Sequence, residues 1–338
     1  AESPFVSIIN RLKPQANTEH IHLGNLTGQF LDDTVHDRDI PFAQSMTRYF
    51  QMNALEMLAC EGFQSQQQAE AFYEKARAQR ANIRKLIGQD LRQSIARYDS
   101  AHVTLEPTFF SDMLGIQGRL DFLYRHKKQT IIIEQKSGKG DFVPPSSPSY
   151  DPEVPKPQEK HLVQLLLYRA LLTYEFNLHS EELSHIMLLY SRYQQGLVSV
   201  GQMPALMLRA IRMRNLLAWC EIHHAQEGYA FLSTLSPEKL NRKQVGGILW
   251  NIYVRPELER LLLPIHQASP LERAYFLRFM QFLAQERLLS KVGSKTKEDA
   301  GFASKWLSSL EEKRAAGNIY EGLILDDFQQ DDDGVTGL

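Results

Sequence analysis

An α/β fold is what this sequence predicts, and three observations carry the prediction. Three short runs rich in branched and aromatic residues, His102–Leu105, Leu120–Tyr124 and Thr130–Glu134, lie between turn-prone stretches and read as strands. Apolar residues at helical spacing precede these runs and return after them. A fourth run of buried type, Ser184–Tyr190, follows the second helical stretch. The expected order is therefore N-terminal helix, antiparallel hairpin sheet, crossover helix and further strand, with a mainly helical part after them.

Taken in order, Phe42 to about Arg97 has helical periodicity interrupted only by Gly62 and Gly88. Between Lys75 and Arg97 it is basic, with Lys75, Arg77, Arg80, Arg84, Lys85, Arg92 and Arg97 against the single acid Asp90. Arg77, Arg80 and Arg84 recur at i, i+3 and i+7, so they share a helical face. Such a face is either simply solvated or a stripe that follows phosphates. After the strands, Val143–Pro157 holds six prolines and three serines, which excludes helix or central strand and predicts an extended loop. Helical spacing resumes over Gln158–Phe176 and again from about Pro204 to His223. Beyond Glu227 the pattern stays mostly helical to about Arg314. An acidic tail with Asp326, Asp327 and Asp331–Asp333 then reads as disordered or as a partner-docking segment.

Composition narrows the functional classes. A chain of 338 residues that is 43% hydrophobic and 23% charged suits a globular protein of two domains, or of one domain with an appendage. No stretch approaches the roughly 18 apolar residues of a membrane span, and no charged-then-apolar leader opens the sequence, so neither is expected. Its first residue is Ala1 rather than Met, as in a processed protein or an excerpt. Two cysteines, Cys60 and Cys220, cannot supply a disulfide framework, a four-thiolate zinc site or an iron–sulfur cluster. Their scarcity fits a reducing, cytoplasmic setting. The formal net charge of −2 means that any polyanion must meet local patches.

The chemistry concentrates in Gly115–Gly140, GIQGRLDFLYRHKKQTIIIEQKSGKG. Glu134 and Lys136 stand two apart on a strand, so their side chains leave by the same face. If the flanking strands form a hairpin around Lys127–Lys128, with His126 facing Gln129, Asp121 falls directly opposite Glu134. Facing carboxylates have Cβ atoms roughly 4.5–5.5 Å apart and repel one another. A divalent cation removes that conflict, and hard oxygen donors suit Mg2+ or Mn2+. The backbone carbonyl of Gln135 could add a ligand. Lys136 alongside offers positive charge for an attacking hydroxide or for charge developing on phosphorus. The alternative is that these are ordinary strand-edge charges. Against it, Ile131–Ile133 is a buried-type strand that feeds charges straight into its C-terminal end, which is costly unless they are used. Gly115 and Gly118 before Asp121 would permit close backbone contact.

GRLD at Gly118–Asp121, EQK at Glu134–Lys136 and QLLLY at Gln164–Tyr168 resemble the successive motifs of the PD-(D/E)XK nuclease superfamily. The last of these resembles the signature of its RecB-like branch. The likeness is to CRISPR-associated RecB-type exonucleases and the nuclease part of flap-processing helicase–nucleases, and it runs from about Leu23 to Asn215. Glu106, the KSGK stretch Lys136–Lys139 and Arg214–Asn215 also match. The resemblance implies a restriction-endonuclease-like core and Mg2+- or Mn2+-dependent cleavage of DNA. Asp121 and Glu134 would hold metal, Lys136 would assist the water, and Gln164 and Tyr168 would position substrate or lysine. Glu106 would support the metals, and Lys139 joins Arg77, Arg80 and Arg84 as a candidate nucleic-acid contact.

Two departures from the family pattern stand out. Gly28 occupies the position where an N-terminal helix of this branch often supplies a histidine, and Asp32, one turn on, is a candidate substitute. The iron–sulfur cysteines of many relatives are missing, so no such cluster is expected. Single-stranded or flap DNA is the expected partner, with a helicase domain or subunit possible and no membrane. The expected division is a nuclease domain over 1–225, a helical region over 226–325 and the acidic tail over 326–338. The alternative function is a catalytically inactive nucleic-acid-binding or scaffolding module of a helicase assembly.

Other signals carry less. Cys220, His223 and His224 lack further zinc ligands at suitable spacing. Lys136–Gly140 lacks the glycine and Ser/Thr of a phosphate loop. Arg209, Arg212 and Arg214 form a second basic cluster, either a helical cap or a strand-contacting surface. Trp219, Trp250 and Trp306, with Tyr275, Phe276 and Phe279, are expected in the core.

Overall fold

The computed structural model describes residues 4–12, 17–95, 98–111, 113–178, 182–293, 301–302, 308–317, 319–322, 328–331 and 334–337. The chain divides into two compact units, one of Arg11–Met213 and one of Ala1–Asn10 with Arg214–Leu338. That division and the expected boundary near residue 225 both fall on a single helix, Pro204–Glu227. No described helix is long and apolar enough to cross a membrane.

Helix α1 spans Pro4–Leu12. In the Arg11–Met213 unit, α2 (Glu19–Val35) buries Leu23, Leu26, Phe30 and Leu31, which line one face by helical spacing. The stretch expected to be nearly continuous helix is broken into α3 (Phe42–Met52), α4 (Ala54–Leu58), a 3-10 turn at Glu61–Phe63 and α5 (Gln66–Lys85). Gly62 lies in the break, where a Cβ would come within 2.9 Å of Glu19 Cβ. A capping box between Ser65 and Gln68 restarts the helix. A π-helical turn at Leu86–Leu91, containing Gly88, leads to the short α6 (Arg92–Ser94). Arg97 lies outside the described residues.

Among the described residues seven strands follow: β1 (Val103–Leu105), β2 (Thr108–Ser111), β3 (Ile116–Arg119), β4 (Phe122–His126), β5 (Gln129–Lys136), β6 (Leu183–Tyr190) and β7 (Leu197–Ser199). The main sheet has the order β1-β4-β5-β6-β7 and is antiparallel except for the central β5–β6 pair. A parallel pair needs a crossover, and α7 (Glu159–Glu175) supplies it. The β4–β5 hairpin has the expected register, with His126 facing Gln129 and Phe122 facing Ile133. β2 and β3 form a separate antiparallel hairpin that periodicity did not single out. The fold is the expected α/β, restriction-endonuclease-like one.

Alternation along the strands divides the core in two. Phe122, Tyr124, Ile131 and Ile133 join α2 and α5 on one face of the sheet. Leu123, Ile132, Leu188 and Tyr190 join Leu165, Tyr168, Leu171 and Leu172 of α7 on the other. Ile131, Ile132 and Ile133 are at most 1% exposed, as a central strand covered on both faces requires.

Helix α8 (Pro204–Glu227) crosses into the other unit. That unit continues through α9 (Pro237–Leu240), a π-helical turn at Leu249–Val254, α10 (Arg255–Gln267) and α11 (Pro270–Val292). Gln281 and Gln285 of α11 donate to the carbonyls of Gln226 and Ala225 at 2.8 and 2.9 Å. Several expected core aromatics lie outside any core. Tyr275 is 69% and Phe279 45% exposed, their rings stacked on one another, and Trp219 is 57% exposed and stacked on His223. Trp250 and Phe276 are half-buried, and Trp306 lies outside the described residues. After α12 (Leu310–Ala315), the tail pairs β8 (Phe328–Asp331) with β9 (Gly334–Gly337) instead of lacking structure. Asp326, Asp327, Asp332 and Asp333 are outside the described residues.

Candidate active site

Strand alternation delivers the candidate residues to one place. Glu134 and Lys136 share the parity of Ile132, whose side chain packs on the α7 face, and Asp121 shares that of Leu123. Gln164 and Tyr168 sit one turn apart on the covering helix. The last residues of β5 run past the end of β4, where Asp121 leads into the strand. The chain is held there by backbone bonds, Leu120 N–H to Pro107 O at 3.1 Å and Glu106 N–H to Asp121 O at 3.3 Å.

A closed set of hydrogen bonds links these groups. The Gln135 N–H donates to Asp121 Oδ2 at 2.6 Å. Lys136 Nζ donates to Glu134 Oε1 at 2.7 Å and to Gln164 Oε1 at 3.0 Å. Gln164 Nε2 donates to Glu134 Oε1 at 2.6 Å and meets the Tyr168 hydroxyl at 2.9 Å. Gln164 thus spans carboxylate, ammonium and phenol. Its amide can do this because it offers both a donor and an acceptor.

The carboxyl groups of Asp121 and Glu134 are close enough for each to perturb the titration of the other. Glu134 is only 3% exposed, and burial first, then the Asp121 charge, pushes its carboxyl up to about 7 against the pull of Lys136. Burial also raises Asp121, with the Gln135 N–H and Lys136 opposing and Glu106 adding to the rise. In the metal-free protein Glu134 therefore holds its proton up to near neutrality. Glu134 Oε2 is buried with no hydrogen-bond partner. An orphaned carboxylate oxygen beside a second carboxylate is the kind of donor a hard divalent cation takes, so the residues present fit such an ion.

The remaining expected residues scatter. Glu106 is close enough to raise Asp121, but its carboxylate pairs with Arg119 at 3.2 Å. Asp32 is spoken for at the surface by His36 and Arg38, at 2.8 and 3.0 Å. Among the described residues no group of three or more His, Cys, Asp or Glu is placed to hold a metal. The structure thus engages Asp32 with His36 and Arg38 and does not gather it into such a group. A Cβ at Gly28 would meet nothing within 4 Å.

The arginine stripe also needs correction. Arg80 is buried, donates to the Ile40 carbonyl and lies against the Phe30 and Phe42 rings, so it braces the core and cannot track a phosphate. Arg77 pairs with Glu74 and Arg84 with Asp39, each at 3.2 Å on the surface. Lys139 is exposed, and its carbonyl accepts from Gln158 Nε2 at 2.8 Å.

Motif reading passed over His161, one turn before Gln164. Its Nδ1 lies 2.8 Å from the Tyr190 hydroxyl, which also accepts from the Gln158 N–H at 3.1 Å. Burial, then Lys136 and Lys160, lower its imidazole to about 4. Its i, i+3 spacing to Gln164 is the signal that could have found it.

This geometry defines a buried carboxylate pair with an adjacent ammonium, set at a strand end under a crossover helix. The sequence model of the PD-(D/E)XK nuclease superfamily matches residues 8–248, well over half of the chain, and the chain belongs to that superfamily. Members are generally hydrolytic nucleases and typically use divalent metal ions. No curated protein and no solved structure gives a match.

Two expectations follow. A Cβ at Gly118 would lie 2.5 Å from Tyr168 Cε1 and 3.3 Å from Leu171 Cδ1. Gly118→Ala should cost about 1–3 kcal/mol in urea unfolding by overpacking. Most of that loss should vanish in a Tyr168→Ala background, and an equal loss in both backgrounds would show that the ring contact is not the cause.

The second concerns pH. Because the Glu134 carboxyl titrates near 7 when folded and near 4.5 when unfolded, the folded state holds the extra proton between those values. Stability of the metal-free protein from this group is therefore lost as pH rises from about 4.5 through 7, by on the order of 3 kcal/mol. Buried histidines such as His22 and His224 act with the opposite sign, so the comparison is with Glu134→Gln. Unfolding in EDTA at pH 5 and 7.5 should show a smaller fall for the variant. Identical falls would refute the assignment.

Proposed function

We propose that the chain is a Mg2+- or Mn2+-dependent deoxyribonuclease that hydrolyses phosphodiester bonds at Asp121, Glu134 and Lys136. The observation that carries this is the buried carboxylate pair with its orphaned oxygen and adjacent ammonium. Asp121, Glu134 and the backbone carbonyl of Gln135 would hold the cation, with Glu106 supporting. When bound, such an ion neutralises phosphate charge and lowers the pKa of a water.

The chain's own groups do the rest. Glu134 would release its proton to solvent on becoming a ligand, Lys136 supplies positive charge beside the attacked phosphorus, and Gln164 holds lysine and carboxylate in register. Tyr168 anchors the Gln164 amide. Lys139, Arg77 and Arg84 are the candidate backbone contacts, and the Pro-rich loop directly after β5 borders the strand's entry.

The order of motifs favours the RecB-like branch, and with it a helicase domain or subunit as partner. The lack of a paired recognition element for a duplex sequence favours single-stranded or flap DNA, and the two cysteines favour a cytoplasmic setting without an iron–sulfur cluster. Gly28 at the usual histidine position supports one competing reading, a nucleic-acid-binding or scaffolding module that no longer cuts.

Asp121→Asn and Lys136→Ala should each lower cleavage in Mg2+ or Mn2+ by at least about 100-fold, on the scale of losing one electrostatic contact to the transition state. DNA binding should stay within a few fold. Wild-type protein that binds DNA yet cuts under neither metal establishes the module instead. Cleavage of single-stranded and flapped oligonucleotides should exceed that of a blunt duplex of the same sequence. Equal rates on all three would remove the strand preference.

A further inference from the structure

The strand end that carries Lys136 is held by one face of α5, a helix whose basic residues had drawn attention while its glutamine had not. Gln79 is 4% exposed and is spent entirely on distant partners. Its Nε2 donates to the Ser137 carbonyl at 3.1 Å, and its Oε1 accepts from Ser191 Oγ at 2.6 Å. Ser191, fully buried at the end of β6, donates its N–H to the Lys136 carbonyl at 3.0 Å. Its hydroxyl lies 3.4 Å from that same oxygen, and with one proton to give, the shorter bond to Gln79 takes it. Next along α5, Asn82 Nδ2 donates to the Ser191 carbonyl at 2.9 Å, and Lys85 Nζ to the Gln194 carbonyl at 3.2 Å.

We infer that Gln79 is a positioning residue for Lys136: through Ser137 and Ser191 it fixes the backbone at the lysine's carbonyl and at the residue that follows. The inference rests, for its kinetic part, on the nuclease reading above. Buried amide bonds across such long sequence separations impose a geometry that apolar packing alone does not. Strand pairing on the β4 side of β5 ends at Ile133, beyond which the Gln135 N–H meets the Asp121 carboxylate, so near Lys136 the strand's position depends on that bond, on β6 and on this brace. A misplacement of about 1 Å at a reacting group is enough to cost on the order of 100-fold in rate.

The test uses the full chain and two variants, Gln79→Met, which keeps length and apolar packing, and Ser191→Ala. With Mg2+ or Mn2+ and a single-stranded oligonucleotide, each should lower kcat at least about tenfold while KM stays within about twofold, the split expected for an interaction that acts on the reacting group. The same Gln79→Met change made in Lys136→Ala should alter the residual rate by less than about twofold, because its target is gone. A general structural role would lower both backgrounds alike, and that result overturns the proposal.

An activity-independent arm accompanies the kinetics. Acylation of lysines by a water-soluble active ester, followed by mass spectrometry on folded protein, should show Lys136 modified several-fold faster in both variants, with Lys127 and Lys128 unchanged. If the wild type cuts nothing, the nuclease reading fails. The brace is then decided by this arm alone, and unchanged Lys136 reactivity in both variants overturns it.

Discussion

Two carboxyl groups brought together under a helix cannot both stay ionised without help, and much of the Arg11–Met213 unit is arranged around that conflict. The hairpin register brings Asp121 and Glu134 together, the parallel β5–β6 pair carries Glu134 to the sheet's covered interior, and α7 closes over it. The Gln135 N–H, Lys136 and Gln164 each relieve part of the cost. One oxygen of Glu134 is left unrelieved. A fold that buries such a group without satisfying it fits a site built for a cation, and the superfamily to which the chain belongs typically uses one.

The hairpin and its register could be read from the amino-acid order because they rest on local facts. Ile131–Ile133 marks a strand covered on both sides, a lysine pair marks the turn, and the period of two then dictates which residues face one another. The crossover helix was equally plain from its spacing. β2, β3 and β7 were missed because each is four residues or fewer and lacks a clear run of branched side chains. Asp121, Glu134 and Lys136 converge as their spacing suggested, and Gln164 and Tyr168 join them as the family resemblance implied. Asp32 and Arg80 do not, since each is captured by a partner that no local pattern announces. Gln79 was invisible for the same reason, its partners lying 58 and 112 residues away.

The errors in the C-terminal unit have a different cause. Helical spacing of aromatics reports that a face is apolar, not what covers it. Tyr275 and Phe279 stack on each other along α11 with much of their surface open, and Trp219 does the same with His223 on α8. The superfamily match ends at residue 248, before α10 and α11. The carboxylate site and its supports all lie in the other unit.

The proton that burial and Asp121 hold on Glu134 offers the most direct test of the central claim. Calorimetric titration of the metal-free protein with Mn2+ at pH 6, in two buffers of different ionisation enthalpy, counts protons released per ion bound. Close to one proton should leave with the first ion in the wild type, and none in Glu134→Gln. Tight binding without proton release, or with release that survives the substitution, would contradict the claim that these two acids form the cation's site.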